Sequence, residues 1–254
     1  MIFETHAHYE DEQYEQDREE LLLKMPSEGV EYIVNVGSSM ETSKESIQLA
    51  RQYEGMYAAA GLHPDYAGEA NEENLKLLAD WCQEPEVVAV GEIGLDYYYE
   101  EPGRKMQQEA FAAQLDLAYE QHMPVIVHSR DAAQDTSNLL KEHHGGAYGG
   151  VIHCFSYSVE MAQEFIRMGF YIGVGGVVTF KNAKRLVEVV KAVDLAHIVL
   201  ETDCPYLAPV PHRGKRNSSL YLPLVAEKIA QIKEIPVEMV YEQTMENAKK
   251  LYRL

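Results

Sequence analysis

The clearest signal of the fold lies in residues 87–92, which read Val-Val-Ala-Val-Gly-Glu. Four apolar residues in a row, without polar alternation, are typical of a strand that is buried on both faces, as in a parallel sheet. Residues 125–127, Val-Ile-Val, have the same character. Each run leads to a side chain that can bind a metal, Glu92 in the first and His128 in the second. The two runs therefore predict an α/β fold with polar residues at the ends of its strands.

Further stretches extend this pattern along the chain, and helical stretches fill the gaps. The eight predicted strands cover residues 1–6, 32–36, 57–61, 87–92, 125–128, 151–153, 170–174 and 197–201. Residues 107–122 and 222–232 carry apolar stripes at helical spacing, and Ser218 and Ser219 are N-cap candidates for the second. Eight β-then-α units in 254 residues predict a single (β/α)₈ TIM barrel over residues 1–254, with a doubly wound open sheet as the alternative.

Six potential metal ligands stand at or just past the ends of five predicted strands. They are His6, His8, Glu92, His128, His153 and Asp203. Alternate residues of a strand share a face, so the imidazoles of His6 and His8 point the same way. Active sites of barrels gather at the C-terminal ends of the strands, whereas an open sheet would spread these side chains along a line. The positions therefore favour the barrel and predict one shared site.

These side chains supply four imidazoles and two carboxylates, which is more than one tetrahedral ion binds. The set suits two divalent ions, with Glu92 as the bridge and Asp203 able to bind one ion and take a proton from an attacking water. The donor types suit Mg, Mn or Zn and leave the metal open. The histidines that lie elsewhere are interpreted as structural or surface residues: His122, His143, His144 and His197.

Composition limits the class of protein. The chain is 46% hydrophobic and 25% charged, which is typical of a globular protein with a large core. Its net charge of −19 disfavours indiscriminate binding of nucleic acid, but it permits local binding of a phosphate backbone beside divalent ions. Because no signal segment and no membrane-spanning apolar run are found, we expect a cytoplasmic protein without a membrane partner. The oligomeric state is left open.

Several longer motifs resemble the TatD family of metal-dependent hydrolases, within the amidohydrolase-like barrels. They are ETHAHY at 4–9, GLHPD at 61–65, GEIGLDYY at 91–98, PVIVHSRDA at 124–132, HCFSYS at 153–158, GFYIGVGGVVTFKNA at 169–183 and ETDCPYLAPVPHRGKRN at 201–217. The resemblance runs from residue 1 to the C-terminus. It implies a TIM barrel that holds two divalent ions and cleaves nucleic-acid phosphodiesters, typically as a deoxyribonuclease, with single-stranded DNA or DNA ends as the substrate.

The resemblance also implies roles for individual residues. Carried over by position, one ion is held by His6, His8 and Asp203, the second by His128 and His153, and Glu92 bridges them. His63 matches the histidine of the family's GxHP loop and is expected to meet the substrate or its phosphate. Arg213, in the long loop after the last strand, matches a basic position that suits phosphate.

Three positions depart from the family pattern. Glu4 replaces the usual Asp, and we expect it to alter only packing or contacts behind the ligands. Asp65 replaces a further histidine of the GxHP loop, and an acid there would weaken a phosphate contact. Residues 218–219, Ser-Ser, replace a common Glu-Pro, which is expected to change only the start of a helix.

Basic and aromatic residues near the predicted site bear on the substrate. In the basic cluster at 213–216, Arg213 is the favoured phosphate ligand, whereas Lys181, Lys184 and Arg185 are interpreted as a solvated helix face. Residues 97–99, Tyr-Tyr-Tyr, would either stack on unpaired bases or form a lid on the barrel rim.

The favoured function is a two-metal deoxyribonuclease. The first alternative is an ester or amide hydrolase of the same barrel superfamily, for example one that removes an aminoacyl group, since an activated water attacks carbon as readily as phosphorus. Glu92 occupies the place where amidase-type relatives often carry a carboxylated lysine, which favours phosphate. The second alternative is a metal-binding scaffold without catalysis.

Overall fold

The computed structural model describes residues 1–254, in which eight parallel strands form one sheet in chain order. The strands are Ile2–Ala7 (β1), Val30–Val36 (β2), Met56–Ala60 (β3), Val87–Asp96 (β4), Val125–Arg130 (β5), Gly150–Ile152 (β6), Phe170–Val174 (β7) and Ile198–Leu200 (β8). Each strand pairs in parallel with the next one along the chain. The predicted strands are therefore all present, and their order is that of a barrel.

The sheet curls into a nearly closed barrel, and its closure lies beside the predicted ligands. Ala7, at the end of β1, forms a parallel bridge with Cys204, just past β8. The N–H of His8 donates to the carbonyl of Cys204 over 2.9 Å, and the N–H of Asp203 donates to the carbonyl of His6 over 3.0 Å. These bonds join the first strand to the last, so the (β/α)₈ prediction is confirmed and the open-sheet alternative is wrong.

Helices lie between the strands and cover the barrel. They are Arg18–Lys24 (α1), Met40–Gln52 (α2), Glu72–Trp81 (α3), Arg104–Glu120 (α4), Ala133–Glu142 (α5), Val159–Arg167 (α6), Lys184–Ala192 (α7), Leu222–Lys233 (α8) and Val237–Tyr252 (α9). Side-chain caps fix several helix starts: Ser39 and Thr42 form a capping box on α2, and Ser158 caps α6. Ser218 caps a short 3₁₀ turn instead, and α8 begins after it at Leu222.

The apolar core has two parts. The larger part is a cluster of 50 buried residues that includes both strand and helix side chains. A second cluster of 12 buried residues joins Phe3, Ile126 and Val151 from the strands to Leu251 and Tyr252 from the end of α9. The ring of Tyr252 stacks on Phe3 near the N-terminal end of β1, so α9 packs at the end of the barrel opposite the ligands. None of the helices has the length and apolar character required to span a membrane.

Two strands extend two or more residues beyond their predicted C-terminal ends. β4 continues to Asp96 and β5 to Arg130, and the extensions pair with each other, as in Gly94 with His128. Gly94 permits this close approach, because its φ is +146° and an added Cβ would lie 1.9 Å from the His128 carbonyl oxygen. Glu92 and His128 therefore lie inside their strands and not at the ends, which corrects the prediction from the apolar runs alone.

Candidate metal centre

The six predicted ligands converge at the C-terminal end of the barrel, although they come from five different strands or their ends. His6 and His8 project from the end of β1, Glu92 from β4, His128 from β5, His153 just after β6 and Asp203 just after β8. Most of these side chains are nearly or fully buried, and that of Asp203 is 19% exposed. A set of imidazoles and carboxylates this deeply buried needs partners, because an isolated buried charge is costly.

One oxygen of Glu92 faces the histidines of β1. Its Oε2 lies 3.4 Å from His6 Nε2 and 3.8 Å from His8 Nε2. The two Nε2 atoms are 3.1 Å apart. Asp203 Oδ1 completes this group, at 3.4 Å from His8 Nε2 and 3.7 Å from His6 Nε2. Two imidazole nitrogens and two carboxylate oxygens thus point at one small volume.

The other oxygen of Glu92 faces the histidines of β5 and β6. Its Oε1 lies 2.9 Å from His128 Nδ1 and 2.8 Å from His153 Nε2. These two nitrogens are 3.3 Å apart. The carboxylate of Glu92 therefore stands between two separate pairs of histidines and presents one oxygen to each pair.

The hydrogen bonds behind the histidines decide which ring nitrogens carry lone pairs. His8 Nδ1 lies 2.7 Å from the Val36 carbonyl, which only accepts, so His8 Nδ1 carries the hydrogen and Nε2 faces inward as an acceptor. His128 Nε2 lies 3.0 Å from Asp96 Oδ2, so in the neutral imidazole, the form that binds metal, Nδ1 is the inward acceptor. Acceptors that face carboxylate oxygens need a cation or protons between them, and this donor set therefore fits metal ions.

The distances within each group also fit a metal shell. A tetrahedral ion with bonds of about 2.0–2.1 Å separates its ligand atoms by about 3.3 Å. The inward atoms of the two groups lie 2.8–3.8 Å apart, around this value. Support of metal-binding histidines by a carbonyl or carboxylate on the second ring nitrogen is usual, and Val36 and Asp96 supply it here.

The close packing of imidazoles and carboxylates in this site shifts their pKa values. Burial, together with the neighbouring His153, lowers the pKa of His6 to about 4. Burial alone would lower the pKa of His128, but the Asp96 and Glu92 carboxylates raise it to about 9. Burial would raise the pKa of Glu92, yet the surrounding histidines hold it well below its usual range. Glu92 is thus held as a carboxylate, which is the form that binds metal.

Two acidic residues of the site were missed by the sequence analysis. Asp96 holds His128, and its position in the GEIGLDYY motif was the signal that could have identified it. Glu201 is fully buried two residues before Asp203, and burial raises its pKa to about 7. Because Glu201 ends an apolar strand in the same way as Glu92, its place in the chain was a signal as well.

Glu201 lies behind two of the predicted metal ligands, His6 and His153. Its Oε1 accepts the N–H of Cys154 over 2.5 Å and lies 4.0 Å from His153 Nδ1. The rings of His6 and His153 stack at 4.0 Å, and their Nδ1 atoms are buried without a partner, as is Glu201 Oε2. Buried polar atoms rarely stay unpaired, and these three residues form one of the groups whose ligand atoms lie close enough together to hold a metal ion.

Two of the departures from the family pattern meet in space. The carboxylate of Glu4 is fully buried, and its Oε2 accepts a hydrogen bond from the Ser219 hydroxyl over 2.9 Å. The N–H and hydroxyl of Thr202 also donate to Glu4, over 2.9 and 2.6 Å. Glu4 does not reach the metal-facing atoms, and it ties β1 to the segments after β8. Ser219 supplies a donor that a proline at this position would lack.

The predicted substrate residues lie in different settings. His63 Nε2 is 3.9 Å from Glu92 Oε1, and Asp65 pairs with His63 from the other side at 3.4 Å. The guanidinium of Arg213 lies 4.5 Å above the Phe180 ring and is exposed, outside the cavity that contains the ligands. Its role as a phosphate ligand stays a prediction. Lys184 and Arg185, interpreted from sequence as a solvated face, line that cavity.

The mouth of the barrel is a wide cavity of about 1540 Å³ above the ligands. His8, Glu92, His128, His153 and Asp203 all reach it. A parallel (β/α)₈ barrel with buried imidazoles and carboxylates at the C-terminal mouth defines a class, the metal-dependent hydrolases.

Comparison with known proteins gives the family within that class. The TatD related DNase family matches residues 3–253, and the chain belongs to this family. The metal-dependent hydrolase YabD of Bacillus subtilis (strain 168) is 44% identical over 254 residues and both chains are fully covered. The 3'-5' ssDNA/RNA exonuclease TatD of Cronobacter sakazakii is 32% identical, covering 99% of this chain and 97% of its own.

A solved structure agrees with the fold described above. The crystal structure of YJJV, a TatD homolog from Escherichia coli K12, superimposes with a TM-score of 0.94 at 30% identity. The match covers 100% of this chain and 98% of that one. The protein is therefore a metal-dependent hydrolase of the TatD family, with His, Glu and Asp groups that could bind metal.

Proposed function

We propose that this hydrolase is a two-metal deoxyribonuclease that cleaves DNA phosphodiesters, with single strands or ends as its substrate. One observation carries the proposal: the carboxylate of Glu92 presents Oε1 to His128 and His153 and Oε2 to the histidines of β1. A carboxylate placed in this way between two ligand groups is suited to bridge two ions.

The chain offers one ligand group for each ion. His6, His8 and Asp203 would hold the first, His128 and His153 the second, and Glu92 both. Two bound divalent ions, Mg, Mn or Zn, would stabilise the charge of the transferred phosphoryl group and acidify an attacking water. The hydrogen bonds from His8 to the Val36 carbonyl and from His128 to Asp96 hold both rings in the orientation that binding requires.

Asp203 is the carboxylate best placed to move a proton. Its side chain is 19% exposed and lines the cavity, whereas that of Glu92 is 5% exposed and enclosed by histidines. Burial would raise the pKa of Asp203, but His8 and the other histidines lower it, so it is a carboxylate that can accept a proton from water at the cavity floor. We assign the general-base role to Asp203 and no proton transfer to Glu92.

The proposed preference for DNA is supported by the cations that line the mouth of the barrel and by the name of one relative. Arg130, Lys184 and Arg185 line the cavity, although the chain as a whole has a net charge of −19. A local group of cations is what a phosphate backbone requires. One relative is named a 3'-5' ssDNA/RNA exonuclease, which supports a nucleic-acid substrate. His63, 3.9 Å from Glu92, is assigned to contact the phosphate.

Digestion of end-labelled DNA tests the proposal. Single- and double-stranded oligonucleotides are incubated with the metal-free protein and with Mg²⁺, Mn²⁺ or Zn²⁺, and Asp203→Asn serves as the control. We expect metal-dependent cleavage of single strands or ends by the parent and none by the variant. Cleavage of an aminoacyl ester but of no phosphodiester would replace this function by the ester hydrolase. Loss of both activities in the metal-loaded protein would favour the non-catalytic scaffold.

A further inference from the structure

The mouth of the barrel is divided by charge. Acidic side chains from the segments after β1, β2 and β3 line one part of the cavity, among them Glu10, Asp11, Glu41 and Asp65. The cations of the cavity come from the other part: Arg130 ends β5, and Lys184 and Arg185 begin α7, where Glu188 also lines the cavity. Because β5 to β7 are adjacent in the barrel, a polyanion meets attraction on this side and repulsion on the other.

Arg130 is the cation nearest to the ligands in the chain, two residues after His128 on β5. Alternate residues of a strand share a face, so Arg130 points into the mouth as His128 does. Its Nη1 lies 3.9 Å from Asp96 Oδ2, the atom that lies 3.0 Å from His128 Nε2. Arg130 is therefore separated from the metal centre by a single shared carboxylate.

The guanidinium of Arg130 is held in place by stacking, but its hydrogen-bond donors have no partner within the chain. Its Cζ lies 3.8 Å above the Tyr98 ring, and the Tyr98 N–H donates to Asp96 Oδ1 over 2.9 Å, which fixes the loop below. The long contact with Asp96 is its only ion pair, and its N–H groups donate no hydrogen bond within the chain. Stacking thus fixes the plane of the guanidinium, while its N–H donors stay free to bind two oxygens of a phosphate.

Two other arginines of nearby segments have partners of their own. Arg216 donates to the carboxylate of Asp17 and to the Gln13 carbonyl. Arg104 stacks 4.3 Å above Tyr97 at the start of α4 but does not line the cavity. Arg104 and Arg130 are thus similar aromatic–guanidinium pairs on one loop, and only Arg130 reaches the mouth.

An exposed aromatic ring, that of Tyr99, lies next to Arg130. The Tyr99 ring is edge-on to Tyr98, with centroids 4.9 Å apart, and its centroid lies 5.6 Å from the Arg130 guanidinium carbon. Tyr99 is 55% exposed and lies beside Arg130 outside the lining of the cavity, and the Arg130 guanidinium is closer to the Tyr98 ring than to the Tyr99 ring. An arginine that can bind a phosphate, next to an exposed ring that can stack on a base, matches the two parts of one nucleotide. The base has to be unpaired to stack.

We infer that Arg130 and Tyr99 form a nucleotide subsite on the β5 side of the mouth, with Arg130 on a phosphate next to the scissile one and Tyr99 under its unpaired base. Tyr98 is a positioning residue that fixes the plane of Arg130. This inference rests on the proposed function, because it places a second phosphate of the same substrate. It selects single-stranded segments over paired ones and small diesters.

Competition kinetics tests the subsite. The reporter is hydrolysis of bis(p-nitrophenyl) phosphate, which carries one phosphate only. The competitors are a hexamer of thymidylate and an abasic hexamer with the same phosphates. Inhibition constants are measured across a salt series for the parent, Arg130→Gln, Arg130→Lys, Tyr99→Leu and the matched control Arg104→Gln, with metal content and circular dichroism recorded for each.

We expect Arg130→Gln to raise the inhibition constant of both hexamers about tenfold or more, because charge-assisted hydrogen bonds are lost. Its salt slope should fall by about 0.7, the value for one phosphate of a single strand. Hydrolysis of the one-phosphate reporter should fall less than hexamer binding does, since the reporter's phosphate lies at the metals and does not reach the second phosphate position. Tyr99→Leu should weaken the thymidylate hexamer about tenfold and leave the abasic one unchanged. Arg130→Lys keeps the charge without the fork and should fall between the parent and Arg130→Gln.

Three outcomes would overturn the subsite. Arg130→Gln could behave as Arg104→Gln does, with both hexamers unaffected. It could slow the reporter as much as it weakens the hexamers, which would make Arg130 a support of the metal centre. Tyr99→Leu could weaken both hexamers equally, which would remove the base contact. A parent that binds metal but hydrolyses no phosphodiester would instead remove the proposed function itself, and the subsite with it.

Discussion

Glu92 is a buried carboxylate whose two oxygens have different partners: Oε2 is 3.4 Å from His6 Nε2 and Oε1 is 2.8 Å from His153 Nε2. Glu92→Gln keeps the size of the side chain and replaces one of these oxygens by an amide nitrogen, which does not bind metal. We expect turnover of bis(p-nitrophenyl) phosphate to fall more than about 100-fold, beyond the usual effect of residues behind the ligands. Circular dichroism should stay native. Glu86→Gln, at the opposite end of the barrel, is the control, and a near-normal rate for Glu92→Gln would remove Glu92 from the mechanism.

Glu201 is a second residue that we expect to affect metal binding, and it does so from behind the ligands. Glu201→Gln removes the negative charge nearest to His153 Nδ1, which lies 4.0 Å away. We expect metal affinity to fall about 10- to 100-fold, because carboxylates behind metal-binding histidines orient the ring and raise its basicity. Calorimetric titration of the metal-free protein measures this change without reference to activity. Glu164→Gln, on the outside of the barrel, is the control, and an unchanged affinity in Glu201→Gln would leave Glu201 with no part in the centre.

The hydrogen bond between Ser219 and Glu4 can be tested through the stability of the protein. The hydroxyl of Ser219 donates to a fully buried carboxylate oxygen of Glu4 over 2.9 Å. Ser219→Ala should lower the free energy of unfolding by about 1–3 kcal/mol, since a buried acceptor loses a donor. Ser27→Ala, whose hydroxyl is exposed, should change it little. Urea unfolding measures both, and equal effects would show that the Glu4–Ser219 bond does not stabilise the barrel.

At the scale of elements, Gly94 lets β4 and β5 run side by side past the rim. An added Cβ would lie 1.9 Å from the His128 carbonyl oxygen, at a φ of +146° that other residues rarely adopt. Gly94→Ala should therefore lower the free energy of unfolding by about 3 kcal/mol or more and weaken metal binding through His128. Gly103→Ala, where a Cβ meets nothing within 4 Å, is the matched control in urea unfolding. A Gly94→Ala protein as stable as Gly103→Ala would contradict this reading of β4.

The strands were predictable from the sequence, and their lengths were not. Uninterrupted apolar runs identified β4 and β5, because both faces of these strands are buried. The uninterrupted apolar runs end before Glu92 and His128, yet pairing continues through Ile93 and Leu95 to Asp96 on β4 and to Arg130 on β5. Backbone hydrogen bonding between two neighbouring strands has no direct counterpart in the sequence of either one, so the continuous runs did not specify where pairing ends.

The site was predictable to a similar extent. The six inward-facing residues could be chosen because a barrel brings the ends of its strands to one mouth. Asp96, Glu201 and Arg130 were not assigned, since their roles depend on which ring nitrogen, carbonyl or aromatic face lies next to them. Contacts of this kind arise from side-chain orientation in the folded barrel, and residue spacing alone does not specify them.

At the scale of the whole molecule, charge is unevenly arranged. The net charge of −19 suggested weak attraction for nucleic acid, but the cations of the mouth are gathered on the β5 to β7 side. A substrate held by a few such contacts should bind with a shallow dependence on salt, near 0.7 per phosphate for single strands. A slope of several units in the parent would mean a more extensive backbone contact than this mouth provides.

Anomalous diffraction from crystals loaded with Mn²⁺ would reveal whether one carboxylate, Glu92, joins two ions in the barrel. We predict two anomalous peaks per chain, about 3.5–4 Å apart, with one oxygen of Glu92 directed to each. Crystals of Glu92→Gln prepared in the same way should lose at least one peak. A single peak in fully loaded, active protein, or two peaks of which only one contacts Glu92, would contradict the account.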